Sequence, residues 1–185
     1  MQTGFELSTL VDATATQVLF AFLDGAALRS WWGARNVVVQ PRPGGLLVVE
    51  WEAGREGEDE LLGPQGGVLT GMIDRAMAGH SVHFGNLHWL TPRGETFGPT
   101  RLEVDVFSKG DPMRKPALLR LRTSGFQAGE RWQRYLELTR RSWERTFGDL
   151  KRYCETQASV HAEAAVSGLG GTYRAEAAIQ GRHIS

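Results

Sequence analysis

The chain has 185 residues, 41% apolar and 23% charged, the make-up of a globular domain with a sizeable core. Its 21 basic residues balance 21 acidic ones, so composition speaks against a general attraction to nucleic acid or to an anionic membrane surface. A single cysteine, Cys154, excludes an intrachain disulfide and a thiolate zinc cluster; with no basic-then-apolar leader and no apolar run near about 18 residues, a cytoplasmic protein without membrane insertion is expected.

Residues 5–13 (FELSTLVDA) put Phe5, Leu7, Thr9 and Val11 on one side, the alternation of a half-buried strand. In 12–24 (DATATQVLFAFLD), Val18, Leu19 and Phe22 have helical spacing, with Asp12 or Thr14 as the cap. Asp24–Gly25 interrupts, and Ala26 to Trp32 predicts a second short helix that ends in adjacent tryptophans. Residues adjacent on a helix point about 100° apart, so both rings can hardly be buried in one small core. Trp31, three residues after Leu28, is expected to enter the core or a cavity and Trp32 to lie towards its mouth.

Strands separated by turn signals follow, at 36–40, 46–52, 67–77, 80–90, 100–107 and 117–126. In the last two, Leu102, Val104 and Val106, then Leu119 and Leu121, alternate with charges, as in an antiparallel sheet with one wet face. The stretch EWEAGREGEDE (50–60) carries six carboxylates against Arg55 and reads as a solvated hairpin tip. From Glu130 to Glu155, Trp132, Tyr135, Leu136, Thr139, Trp143, Phe147 and Leu150 recur at steps of three and four, predicting a helix about 35–40 Å long. Residues 156–185 are rich in Ala and Gly; their echo of AEAAV in AEAAI is too little for a repeat, and they read as a flexible or docking tail. The reading is therefore α+β: one domain over 1–155, an antiparallel sheet gripping a long helix, and a tail over 156–185.

Several stretches, in order, resemble a known family. VLFAFLDGAALRSWWG (18–33), RPGGLL (42–47), GMI (71–73) followed by VHF (82–84), RTSGF (122–126) and SWERTFGDLKRYCE (142–155) are similar to segments of the START-like (SRPBCC) superfamily. Within it they resemble the branch named after the C-terminal domain of the heat-shock-protein ATPase activator. The resemblance covers about residues 5–155. It implies a helix-grip fold, in which a curved antiparallel sheet of six or seven strands wraps a long C-terminal helix, two short helices follow the first strand, and a cavity lies between sheet and helix. It does not imply one function, because fold and function separate widely in such superfamilies.

Hydrolase, zinc-protease, nucleotide-loop and CxxC motifs are absent, and GLGGTY (168–173) lacks the third glycine of a dinucleotide fingerprint. His83 and His88 fall on opposite faces of an uninterrupted strand, and His80 and His88 lie about 27 Å apart, so neither a metal site nor a cofactor is expected. If Val82 and Phe84 face inward, Asn86 and His88 do too. The expected cavity lining is then Trp31, Trp32, Val49, Trp51, Phe84, Asn86, His88, Val104, Leu119, Tyr135, Trp143 and Phe147, apolar and aromatic with a few polar groups. Cys154 is expected to be a small apolar filler rather than a reactive thiol. The expected function is binding of a small hydrophobic, aromatic or lipid-like ligand, with no catalytic residue assigned. A cyclase-, dehydratase- or hydrolase-like enzyme using His88 and Asn86 is the alternative. The resemblance also brings a chaperone-activating role into view, a weaker expectation because the family's namesake carries a further domain. A homodimer exchanging the tail is the remaining expectation about partners.

Overall fold

The computed structural model describes residues 3–54, 57–108, 111 and 113–180, with side chains described as far as Ser159. Chain order is β1 (Gly4–Val11), α1 (Ala15–Leu23), α2 (Gly25–Trp32), β2 (Asn36–Val39), β3 (Leu46–Trp51), β4 (Glu58–Asp59), β5 (Gly63–Pro64), β6 (Gly67–Met77), β7 (Ser81–Leu90), β8 (Thr96–Phe107), β9 (Ala117–Ser124) and α3 (Glu130–Gln180). The expected α+β architecture is present. Seven strands form one antiparallel sheet in the order β1-β9-β8-β7-β6-β3-β2, while β4 pairs with β5 in a separate small hairpin.

The two short helices begin where their side chains can cap them. Thr14 accepts a hydrogen bond from the Gln17 amide, and the Gln17 side chain answers from the Thr14 amide, closing a capping box on α1. Asp12, the other candidate cap, instead donates its amide to Glu155 Oε1 at 2.9 Å, tying the end of β1 to α3. Asp24 ends α1 and caps α2, accepting the Ala27 amide at 2.8 Å. Gly33, at φ 64°, stops α2 in the left-handed conformation that glycine adopts without steric cost.

The core lies between the sheet's concave face and the helices. Val49, Ile73, Val82, Val104, Leu119 and Leu121 enter it from the sheet, and Phe22, Leu28 and Leu150 from the helices, all nearly inaccessible to solvent. Each such side chain contributes about 1.5–3 kcal/mol by leaving water. Cys154 is buried among them, and burial pushes its thiol up to about 12, so it packs as a small apolar group. The long helix runs on past Glu155, where periodicity had ended it, and Ala158 is still buried. The side chains of the expected tail from residue 160, and residues 181–185 entirely, lie outside the described residues.

Strand β7 breaks the simple alternation that the sequence analysis assumed. Between the pairs Phe84↔Leu102 and Leu87↔Thr100, β7 advances by three residues and β8 by two. The extra residue is Asn86, at φ 50°, in a left-handed conformation that asparagine tolerates better than most residues. Beside it Gly85 allows Asp74 to approach, since a Cβ there would lie 2.0 Å from Asp74 Oδ2. Beyond this bulge Leu87 and Trp89 face the core, and Asn86 and His88 face outward.

Candidate functional site

All six tryptophans belong to α2, α3 or the concave side of the sheet. Trp31 is buried; its indole N–H donates to the Ala21 carbonyl at 2.8 Å, and it meets Phe22 edge-on. Trp32 stacks on Trp31 with centroids 5.2 Å apart and planes 7° from parallel. Trp31 is thus in the core and Trp32 at its edge, and side-chain torsions stack the two rings although their Cα–Cβ bonds diverge. Trp32 also meets Trp143 at 5.0 Å and the edge of Trp51 at 5.1 Å, and Trp51 donates its indole N–H to the Trp32 carbonyl.

A second aromatic group stands nearer the start of α3. Trp89 stacks on Tyr135 at 5.0 Å and 15°, Phe97 contacts both, and Trp132 and Phe126 close the edge. Trp89 donates its indole N–H to the Gly66 carbonyl at 2.7 Å.

A cavity of about 150 Å³ lies between the two groups. Helix α2 supplies Trp32; the sheet supplies Trp51, Leu69 and Trp89; the link from β5 to β6 supplies Gln65 and Gly66. The rest comes from α3: Tyr135, Leu138, Thr139, Ser142, Trp143 and Thr146. Of the residues expected from sequence, Trp32, Trp51, Tyr135 and Trp143 meet at this cavity. Trp31, Val49, Phe84, Val104, Leu119 and Phe147 are instead packed into the core. Asn86 and His88 are displaced to the outer side of the sheet by the bulge, where His88 Nε2 and Asn86 Oδ1 are 3.1 Å apart. Trp89 takes the inward place that alternation had assigned to His88. Sequence reasoning missed Trp89, whose signal was the Gly85–Asn86 pair inside a strand. It also left out Ser142 and Thr146, which continue from Thr139 at helical spacing as a small polar stripe beside the aromatic one.

Among the described residues, the cavity wall carries no charge at neutral pH. Tyr135 is the one ionisable side chain among its described residues, and burial pushes that phenol up to about 12 against the opposing pull of the Thr100 and Thr139 hydroxyls. Charges gather just outside, where α3 fastens the β4–β5 segment. Arg131 pairs with Glu95 and donates to the Leu61 carbonyl at 2.9 Å; Arg134 donates to Asp59 at 2.7 Å. Asp59, within the stretch expected to be a solvated tip, is buried, with its carboxylate also accepting the Leu61 and Leu62 amides at 3.0 Å. Burial opposes the charge, but the Leu62 amide, Arg134 and the Leu61 amide together hold the carboxyl below its usual value. Neighbouring Glu58 and Glu60 are exposed, as expected, while Arg55 and Glu56 lie outside the described residues.

Among the described residues no cluster of His, Cys, Asp and Glu could hold a metal ion, and no helix is long and apolar enough to cross a membrane. No family model matches the chain, and no curated protein does. Solved structures do. A protein from Chromobacterium violaceum is 19% identical with TM-score 0.62, over 84% of this chain and 99% of that one. An HSP90 activator from Plasmodium falciparum is 14% identical with TM-score 0.55, over 90% and 97%. DynU16, from the dynemicin biosynthetic locus, is 15% identical with TM-score 0.59, over 85% of this chain and 49% of its own. At these identities the likeness is one of fold.

Proposed function

We propose that the chain is a START-like (SRPBCC) domain whose cavity binds one small aromatic molecule. The observation that carries this reading is the wall: Trp32, Trp51, Trp89, Tyr135 and Trp143 line an open-mouthed hollow of about 150 Å³ with no charged side chain among its described residues. An apolar cavity of roughly 150 Å³ accepts a benzene ring, whereas drug-sized ligands occupy roughly 300–1,000 Å³. Size therefore supports a single ring over a lipid chain. The enzymatic alternative depended on His88 and Asn86 inside the cavity, and both stand on the other side of the sheet. The test is calorimetric titration with ethylbenzene. Saturable binding at one site is expected, with a dissociation constant below about 1 mM, equivalent to about 4 kcal/mol or more. Leu69→Trp, which fills the hollow from the sheet side, should abolish it. Titration without saturation would overturn the reading.

A further inference from the structure

The wall's chemistry narrows the ligand further, an inference that rests on the cavity being a binding site. A carboxylate placed there would lose its water without gaining a countercharge, which is strongly unfavourable. Arg141 and Arg145 line a separate surface hollow that meets the cavity at Gln65 and Leu138, and Glu144 stands beside them.

Most polar atoms of the wall are already committed. The indole N–H groups of Trp51 and Trp89 donate to the Trp32 and Gly66 carbonyls. The Thr139 hydroxyl is engaged with Tyr135, and the Thr146 hydroxyl donates to the Ser142 carbonyl at 2.7 Å. Two side chains from different elements remain. Among the described residues, neither the Ser142 hydroxyl on α3 nor the Gln65 carboxamide on the link from β5 to β6 has a hydrogen-bond partner. Both offer a donor and an acceptor to something in the hollow.

We propose that the cavity selects a neutral single-ring aromatic molecule carrying one carbonyl or hydroxyl oxygen, engaged by Ser142 and Gln65, and rejects the corresponding carboxylate. Aromatic packing sets the size, and the two free polar groups set the chemistry.

Three probes of nearly one shape separate these points: ethylbenzene, acetophenone and benzoate, titrated calorimetrically into the full chain at about pH 7. Acetophenone should bind about three- to tenfold more tightly than ethylbenzene, the gain from one neutral hydrogen bond. Benzoate should bind at least about tenfold more weakly than acetophenone. In Ser142→Ala, with its fold checked by circular dichroism, the acetophenone-to-ethylbenzene ratio should fall, and with Gln65→Ala added it should approach one. Benzoate binding as tightly as acetophenone, or an unchanged ratio in Ser142→Ala, would overturn this inference while ethylbenzene binding leaves the underlying reading standing. Failure of all three probes to bind would overturn both.

Discussion

The two faces of the sheet treat polarity in opposite ways. On the convex side, β8 and β9 set Glu103 opposite Arg122 and Asp105 opposite Arg120. Asp105 gathers His83 at 2.9 Å, Arg120 at 3.2 Å and Arg122 at 3.4 Å, while Glu103 takes Arg122 at 2.8 Å. These charges pair with one another, although the Nε atoms of Arg120 and Arg122 are buried without a hydrogen-bond partner. On the concave side the neighbouring residues of the same strands, Val82, Val104, Leu119 and Leu121, fill the core, and near α3 the filling gives way to rings. Flat, rigid rings that stack on one another and tie their N–H groups to the backbone cannot also mould themselves into every corner. The contrast teaches where a ligand fits: the charged face is drawn together by its own ion pairs, and the aromatic face leaves a hollow.

Breaking the aromatic side should cost most. Trp31→Ala removes a buried ring and its bond to the Ala21 carbonyl, and should destabilise the fold by about 3–5 kcal/mol in urea denaturation. Asp59→Ala comes next, because it leaves the Leu61 and Leu62 amides without their carboxylate; about 1–3 kcal/mol is expected. Asp105→Asn should cost least, about 1 kcal/mol, since the amide keeps an oxygen for His83 and Arg120 while Arg122 stays paired with Glu103. Acid sharpens the comparison. Burial opposes the charge of Asp105, but His83 and Arg120 outweigh it, so its carboxyl, like that of Asp59, sits below the ordinary value. The stability both contribute is fully present above about pH 4 and is lost as pH falls through their lowered folded values. A urea midpoint followed downward in pH should drop less steeply in either variant than in the parent chain.

The order of strands and helices was legible because alternation, helical spacing and Gly- or Pro-rich turns all agreed along most of the chain. The site was legible only in part. Trp31, Trp32, Trp143 and Phe147 carry the same kind of helical signal, yet Trp32 and Trp143 line the hollow while Trp31 and Phe147 are core. That division depends on where the sheet curves against α3, which spacing along one element does not encode. The buried role of Asp59 was hidden because it stands among true surface acids, and its partner Arg134 lies 75 residues away. His88 and Trp89 were exchanged because strict alternation was carried through Gly85–Asn86.

That last residue has a consequence of its own. A period of two has two phases, and Asn86 decides which of them the second half of β7 occupies. Excising it would close the bulge and restore strict alternation, with Phe84, Leu87 and Trp89 still on the concave face and His88 outside. The extra residue, not the identity of its neighbours, keeps a titratable base out of the hollow: paired without a bulge, the same residues would set His88 where the Trp89 indole now stacks on Tyr135.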